Sequence, residues 1–165
     1  MTDMMNFKTV TIADETEDFA PTIRPRIPQP VRHAPIGRVV DIRGGGGRIE
    51  LEASRVSDIA RDPDPSIALS GQVGGHVKLE AGSRWLLANV RSLTLSEGEA
   101  GSICADIDFL GEGEEDEQTG KLINFRRGIT GYPPPGAKVF PVSGQDMRQM
   151  FAADERAHIE IGTVY

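Results

Sequence analysis

Short alternations of apolar and polar residues, separated by glycine turns, constrain the fold of this chain more than any other feature. The segment VVDIRGGGGRIELE, residues 39–52, holds four consecutive glycines between two such runs. After the glycines, Ile49 and Leu51 alternate with Arg48 and Glu50. Because successive side chains of a strand point to opposite faces, this period of two predicts strands with one buried and one wet face. The segment is therefore predicted to be a β-hairpin.

The glycines Gly44–Gly47 also raise the alternative of a phosphate-binding loop. Such a loop follows the pattern G-x-x-x-x-G-K-[ST] and leads into a helix, whose N-terminus helps to bind the anion. Here no lysine and no hydroxyl residue follows the glycines, and the chain continues with a strand pattern. The TGKL sequence at 119–122 lacks both the first glycine and the hydroxyl residue. The sequence therefore favours a hairpin turn that requires positive φ.

Two further segments have the pattern strand, turn, strand. The first covers residues 74–95, with its turn at Ala81–Gly82–Ser83, and the second covers residues 102–128. In the second, Ile107 and Phe109 alternate with aspartates, and Cys104 is in phase with those aspartates and so off the core face. The acidic run Glu112–Glu117 lacks the order of a calcium loop and is predicted to be the solvated tip of this hairpin.

The remaining segments complete an all-β pattern with one helix. Residues 54–73 lack periodicity and contain a D-P-D-P break, which predicts a surface excursion. A proline corner and a short strand precede the helix SGQDMRQMF, which Ser143 can cap. Residues 157–165 are predicted to be a last strand. Short strands at regular spacing predict a small antiparallel β-barrel with one short helix near the C-terminus.

The chain divides into an arm and one domain. Residues 1–34 are acidic and then proline-rich, which predicts an extended or disordered arm, with a possible short strand at Lys8–Ile12. Residues 35–165 are long enough to bury a core and are predicted to form the barrel.

The charge and composition exclude several classes of protein. Lys and Arg number 18 against 25 Asp and Glu, a net charge of −7, so affinity for nucleic acid would need a local basic patch. One cysteine cannot form an internal disulfide framework and fits a reducing compartment. No apolar run approaches the roughly 20 residues of a membrane span. A cytoplasmic protein with no membrane partner is expected.

The residues that usually carry chemistry are scattered. The three histidines, His33, His76 and His158, lie on separate segments without a second imidazole at ligand spacing. The sequence shows no His/Asp pair that could activate Cys104 as a nucleophile. We therefore expect no catalytic residues, no metal site and no cofactor in this chain.

Five segments, taken in order, resemble the HAS-barrel, the N-terminal β-barrel shared by HerA-like DNA-translocating ATPases and ATP synthase subunits. They are PIGRVVDIRGGGGRIELE, VGGHVKLEAGSRWLLANVRSLTL, CADIDFLGEG, FRRGITGYPPPGAKVFPVSGQDMRQMF and HIEIGTVY, within residues 35–165. The HerA branch is the more similar. The chain departs from it at Ala137 and Lys138, where the family often has Gly-Asp type residues.

The resemblance implies the function of the chain. It implies an assembly barrel of a hexameric helicase and DNA translocase of the kind used in DNA repair. The barrel would contact neighbouring protomers, its own ATPase core and a NurA-like nuclease or other effector. ATP and Mg²⁺ would belong to the ATPase core, expected beyond Tyr165, and DNA would be bound only through that motor.

The residues proposed for a partner or oligomer interface are Tyr132, Pro133, Pro134 and Pro135, with Arg126 and Arg127. The corner Tyr132–Pro135 is a rigid aromatic projection; alternatively, it is a simple turn that packs Tyr132 onto the barrel. A different class of function is a free-standing OB-like barrel that binds single-stranded nucleic acid. The net charge and the few aromatic residues disfavour it.

Overall fold

The structure, a computed structural model, describes residues 33–96 and 101–152. Within them the chain forms strands and short helices. The strands are β1 (Gly37–Arg43), β2 (Gly46–Glu52), β3 (His76–Ala81), β4 (Arg84–Leu95), β5 (Ser102–Glu115), β6 (Leu122–Arg127) and β7 (Lys138–Pro141). The helices are α1 (Ala53–Ile59), α2 (Pro65–Leu69) and α3 (Gly144–Phe151).

Six of the strands close into an antiparallel barrel. The order is β2-β1-β7-β3-β4-β5, and β5 pairs back with β2 to complete the ring. The seventh strand, β6, pairs only with β5 and lies outside the ring. The predicted small antiparallel β-barrel with a short helix near the C-terminus is confirmed.

The length of β5 explains why β6 lies outside. Ser102–Asp108 pair with β2, whereas Gly111–Glu115 extend beyond the end of β2 and pair with β6. The long partner β4 follows β5 through both halves. The far half of β5 therefore pairs with β4 on one side and with β6 on the other, beyond the half of β5 that closes the ring.

The inner core is aliphatic and follows the predicted alternation. Ile49 and Leu51 on β2, and Ala105 and Ile107 on β5, all point inward and are almost completely buried. The buried members of this cluster are Ile36, Val39, Ile49, Leu51, Val77, Leu79, Leu86, Ala88, Val90, Ala105, Ile107 and Val139. A second cluster lies on the outer face, where Leu87, Leu122 and Met150 are buried between β4, β6 and α3.

The glycine-rich segment is a hairpin turn, as predicted. Gly44 has φ +57°, which favours glycine, and only two residues connect β1 with β2. At Gly46 a Cβ would lie 2.2 Å from the carbonyl oxygen of Ile107, so close strand approach also requires glycine. The turn at Gly82 and the late helix are likewise confirmed, and Ser143 and Asp146 form a capping box at α3.

The predicted surface excursion contains two helices that periodicity did not reveal. In α2 the D-P-D-P sequence starts a helix: Asp64 accepts a hydrogen bond from the Ser66 N–H at 2.9 Å, and Pro65 occupies the first turn. Ile67 is buried, so this segment also covers part of the barrel.

Several sequence predictions lie outside the described residues. These are the strands at 8–12 and 157–165 and most of the arm. In the part of the chain that the structure describes, each helix is too short or too polar to cross a bilayer.

Candidate interaction site

A buried carboxylate holds together the region that contains the proposed interface residues. The Glu112 side chain, on the far half of β5, is 2% exposed. Its carboxylate accepts hydrogen bonds from Arg84 Nη1 at 2.6 Å and from Arg126 Nε at 2.8 Å. It also accepts the Thr130 backbone N–H at 2.9 Å and the Thr130 hydroxyl at 2.8 Å. We call Glu112, Arg84, Arg126 and Thr130 the Glu112 cluster.

Strand pairing places these side chains. Arg126 on β6 is the direct cross-strand partner of Glu112, and Arg84 begins β4 on the other side of β5. Thr130 follows β6 after Gly128, whose φ of +82° turns the chain back toward β5. The two arginines are 40% and 55% exposed, so water still reaches their outer sides.

The environment favours the charged form of Glu112. Its pKa is lowered from 4.5 to about 2, first by the Thr130 backbone N–H and then by Arg126 and the Thr130 hydroxyl, which outweigh the effect of burial. With a pKa of about 2, this carboxylate is ionised at neutral pH.

The prediction that Glu112 belongs to a solvated tip is wrong. β5 continues to Glu115, so the turn begins only at Asp116. There Asp116 accepts the N–H groups of Gln118 and Thr119 at 3.0 and 2.7 Å, as an ordinary turn aspartate does. Glu112 differs because Arg84 and Arg126 flank it on two neighbouring strands, a pairing that a run of acids in the sequence does not reveal.

The corner Tyr132–Pro135 is fixed at both ends. On its N-terminal side, Thr130 is bound to Glu112. On its C-terminal side, the Gly136 N–H donates to the Val39 carbonyl of β1 at 2.7 Å. Within the corner, the Pro133 side chain is buried. The backbone of the corner therefore has little conformational freedom.

Tyr132 combines features of both alternatives that the sequence left open. Its ring contacts the barrel through Phe109, with 6.2 Å between the ring centroids. It nevertheless remains 55% exposed, and Pro134 and Pro135 are exposed beside it in the chain.

The two arginines nominated with the corner differ in their roles. Arg126 is bound to Glu112 and Thr130, so it supports the corner from within the Glu112 cluster. Arg127 is exposed, and its side chain makes no ion pair among the described residues. Arg84 and Thr130, which sequence reasoning did not nominate, complete the arrangement.

The arginines near the glycine turn have carboxylate partners. Arg43 pairs with Asp41 at 2.5 Å, Arg48 with Asp106 at 3.1 Å and Arg91 with Asp108 at 3.5 Å. A phosphate at this end of the barrel would therefore compete with three carboxylates.

The other residues singled out in the sequence lie apart. Cys104 is half-buried, His33 lies 4.0 Å from Asp62, and His76 contacts Phe151. Across residues 33–96 and 101–152, no three His, Cys, Asp or Glu side chains are grouped to hold a metal ion.

Comparison with models of known protein families gives no match, and no curated protein matches the sequence. The described residues themselves define a closed antiparallel barrel with a corner, fixed at both ends, that exposes the Tyr132 ring and two prolines.

Proposed function

We propose that this chain is the assembly and docking barrel of a hexameric HerA-like DNA translocase and does no catalysis of its own. The observation that carries the proposal is the closed antiparallel barrel, formed by segments whose order resembles the HAS-barrel. Four of the five similar segments fall within the described strands, turns and helix.

The corner supplies the docking surface in this proposal. Tyr132 offers a large amphipathic ring, and tyrosine and arginine are enriched among the residues that dominate binding energy at interfaces. The Glu112 cluster fixes the backbone from which the ring projects. A nuclease of the NurA type, or another effector of the motor, is the proposed partner.

The charge of the chain agrees with this role. A net charge of −7 repels the DNA backbone at long range, so the motor and not the barrel would hold DNA. ATP and Mg²⁺ would bind in the ATPase core, which supplies the energy for translocation.

The native reading frame downstream of Tyr165 tests the motor directly. We expect a strand followed by G-x-x-x-x-G-K-[ST] within a few tens of residues, and DNA-stimulated ATP hydrolysis by a hexamer of the full-length protein. A stop codon at that position, or a full-length protein without ATP hydrolysis, overturns the proposal.

Docking is tested in the same full-length hexamer. Tyr132→Ala should weaken binding of a NurA-like nuclease from the same organism while ATP hydrolysis stays unchanged. Val40→Ala, which truncates an exposed apolar residue of β1, is the matched control. Equal binding by the Tyr132→Ala variant and the control would show that the corner is not the docking surface.

A further inference from the structure

An aromatic cleft of about 410 Å³ lies on the outer face of the barrel, away from the Glu112 cluster. β3, β7, the start of α3 and the turn between β5 and β6 form its walls. Trp85 and Phe140 line it edge to face, with 5.2 Å between the ring centroids. Lys78 Nζ lies 5.1 Å from the centroid of the Trp85 ring. The size and the aromatic lining are typical of a binding groove.

Three carboxylates line the cleft, those of Glu80, Glu115 and Asp146. Asp146 binds Lys78 and Glu115 has an interaction of its own, so Glu80 is the acidic position left for a ligand to match. Lys78 is bound to Asp146 at 3.1 Å and is largely buried. Glu80, half-buried on the neighbouring position of the same β3 face, has no side-chain partner among the described residues. Lys121 and Lys138 are exposed at the rim. A ligand that brings a cation to Glu80 and apolar rings to Trp85 would fit this distribution.

The beginning of the described chain lies in the same cleft. His33 and Pro35 are among its lining residues. The residues immediately before His33 are RPRIPQPVR, 24–32, which combine three prolines with three arginines. Prolines at this spacing favour the polyproline II conformation, which aromatic grooves bind at low entropic cost.

We infer that residues 24–32 of the same chain bind in this cleft, with Pro28 and Pro30 against Trp85 and Phe140 and Arg26 paired with Glu80. The occupant is connected to the cleft through His33, so its effective concentration at the site is high. The acidic stretch Asp14–Asp18 is a poorer occupant. It is further from His33 in the sequence, and it would bring negative charge to the negatively charged Glu80. This inference does not depend on the proposed function.

Limited trypsin digestion of the full chain tests the contact, with a control bond in the same molecule. The Arg26–Ile27 bond lies in the proposed occupant, and the Lys8–Thr9 bond lies upstream of it. Because cleavage requires the segment to open, we expect cleavage after Arg26 to be at least about tenfold slower than cleavage after Lys8. Equal rates at the two bonds overturn the inference.

Variants of the cleft identify the surface responsible. Glu80→Gln and Phe140→Ala should both accelerate cleavage after Arg26 and leave cleavage after Lys8 unchanged. Lys138→Gln, at the rim, is the matched control and should change neither. Protection of Arg26 that survives both cleft variants would place the segment elsewhere and overturn the inference.

Fluorescence provides a second readout, because Trp85 is the only tryptophan of the chain. We expect Pro28→Gly with Pro30→Gly, in the full chain, to shift Trp85 emission to longer wavelength and to increase its quenching by acrylamide. The same change at Pro21 should leave both unaltered. Emission that responds to neutralisation of Asp14–Asp18 but not to the proline changes would assign the cleft to the acidic stretch and overturn the inference.

Discussion

The two hydrophobic clusters of this protein, one inside the barrel and one outside it, are built in different ways. The inner cluster takes aliphatic side chains from all six strands of the ring, and most of its members are 0–1% exposed. The outer cluster has three buried members, Leu87, Leu122 and Met150, surrounded by half-buried Trp85, Leu110, Phe125 and Met147.

The inner cluster therefore stabilises the ring, whereas the outer cluster holds surface elements in position. Loss of an inner contact weakens the ring as a whole, since each strand pairs with two neighbours. The outer cluster and the Glu112 cluster instead fix β6, α3 and the corner. The corner is the proposed docking surface, and the start of α3 forms one wall of the aromatic cleft. We expect those elements to open at lower free energy than the ring.

The largest effect is expected from Leu79→Ala in the inner cluster. Leu79 is completely buried on β3, so truncation should lower the free energy of unfolding by about 2–5 kcal/mol. Urea denaturation measures the change. Leu95→Ala, at an 85% exposed position of β4, is the control and should stay within about 0.5 kcal/mol of the native protein.

A smaller loss is expected from Glu112→Gln, which leaves two arginines without their carboxylate. Since the pKa of Glu112 is lowered from 4.5 to about 2, its ionised form contributes stability that is complete above about pH 4.5. That contribution is lost as the pH falls through about 2. The difference in urea midpoint between the native protein and the variant should therefore shrink across this window.

Glu117→Gln, in the turn that follows β5, is the control for the Glu112 experiment. It should have a midpoint close to that of the native protein over the same pH range. A Glu112→Gln midpoint that differs from the native one by the same amount at pH 2 and pH 6 would contradict the assigned pKa.

Met150→Ala tests the outer cluster. Met150 is 7% exposed on α3, so we expect a loss of about 2 kcal/mol, at the low end for a buried methionine. Backbone amides of α3 and β6 should lose protection against hydrogen exchange, while amides of β1 and β3 keep theirs. Phe151→Ala, one residue further and exposed, is the control. Uniform loss of protection would show that the two clusters unfold as one unit.

The smallest effect is expected from Ser143→Ala at the start of α3. The Ser143 hydroxyl accepts the Asp146 N–H at 3.2 Å, and removing such a cap costs about 1 kcal/mol. The reverse bond, from the Ser143 N–H to Asp146 at 3.0 Å, is retained. Exchange rates within α3 should rise, and Gln149→Ala on the same helix should leave them unchanged. Equal exchange rates in these two variants would show that the Ser143 cap does not stabilise α3.

Local patterns in the chain were sufficient to predict the barrel. Alternation at Ile49 and Leu51 identified inward-facing residues, the glycines at 44–47 identified a turn, and Ser143 identified the start of a helix. These predictions succeeded because strand period, turn conformation and helix capping depend on residues close in sequence. The helix α2 shows the limit: the same Asp-Pro pair that suggests a break also starts a helix, and burial of Ile67 favours the helix.

Local sequence was enough to predict most of the strands, the turns at Gly44 and Gly82 and the inward faces, because each depends on the chemistry of a few neighbouring residues. Burial of Glu112 between two arginines, and the meeting of Trp85, Phe140 and His33 in one cleft, depend instead on how distant parts of the chain fold together. The partners in both sites lie on different segments of the chain, and the ion pairs of Glu112 join residues 14 and 28 positions apart. Their proximity arises from the register of β4, β5 and β6 and from closure of the ring, and no local pattern encodes either.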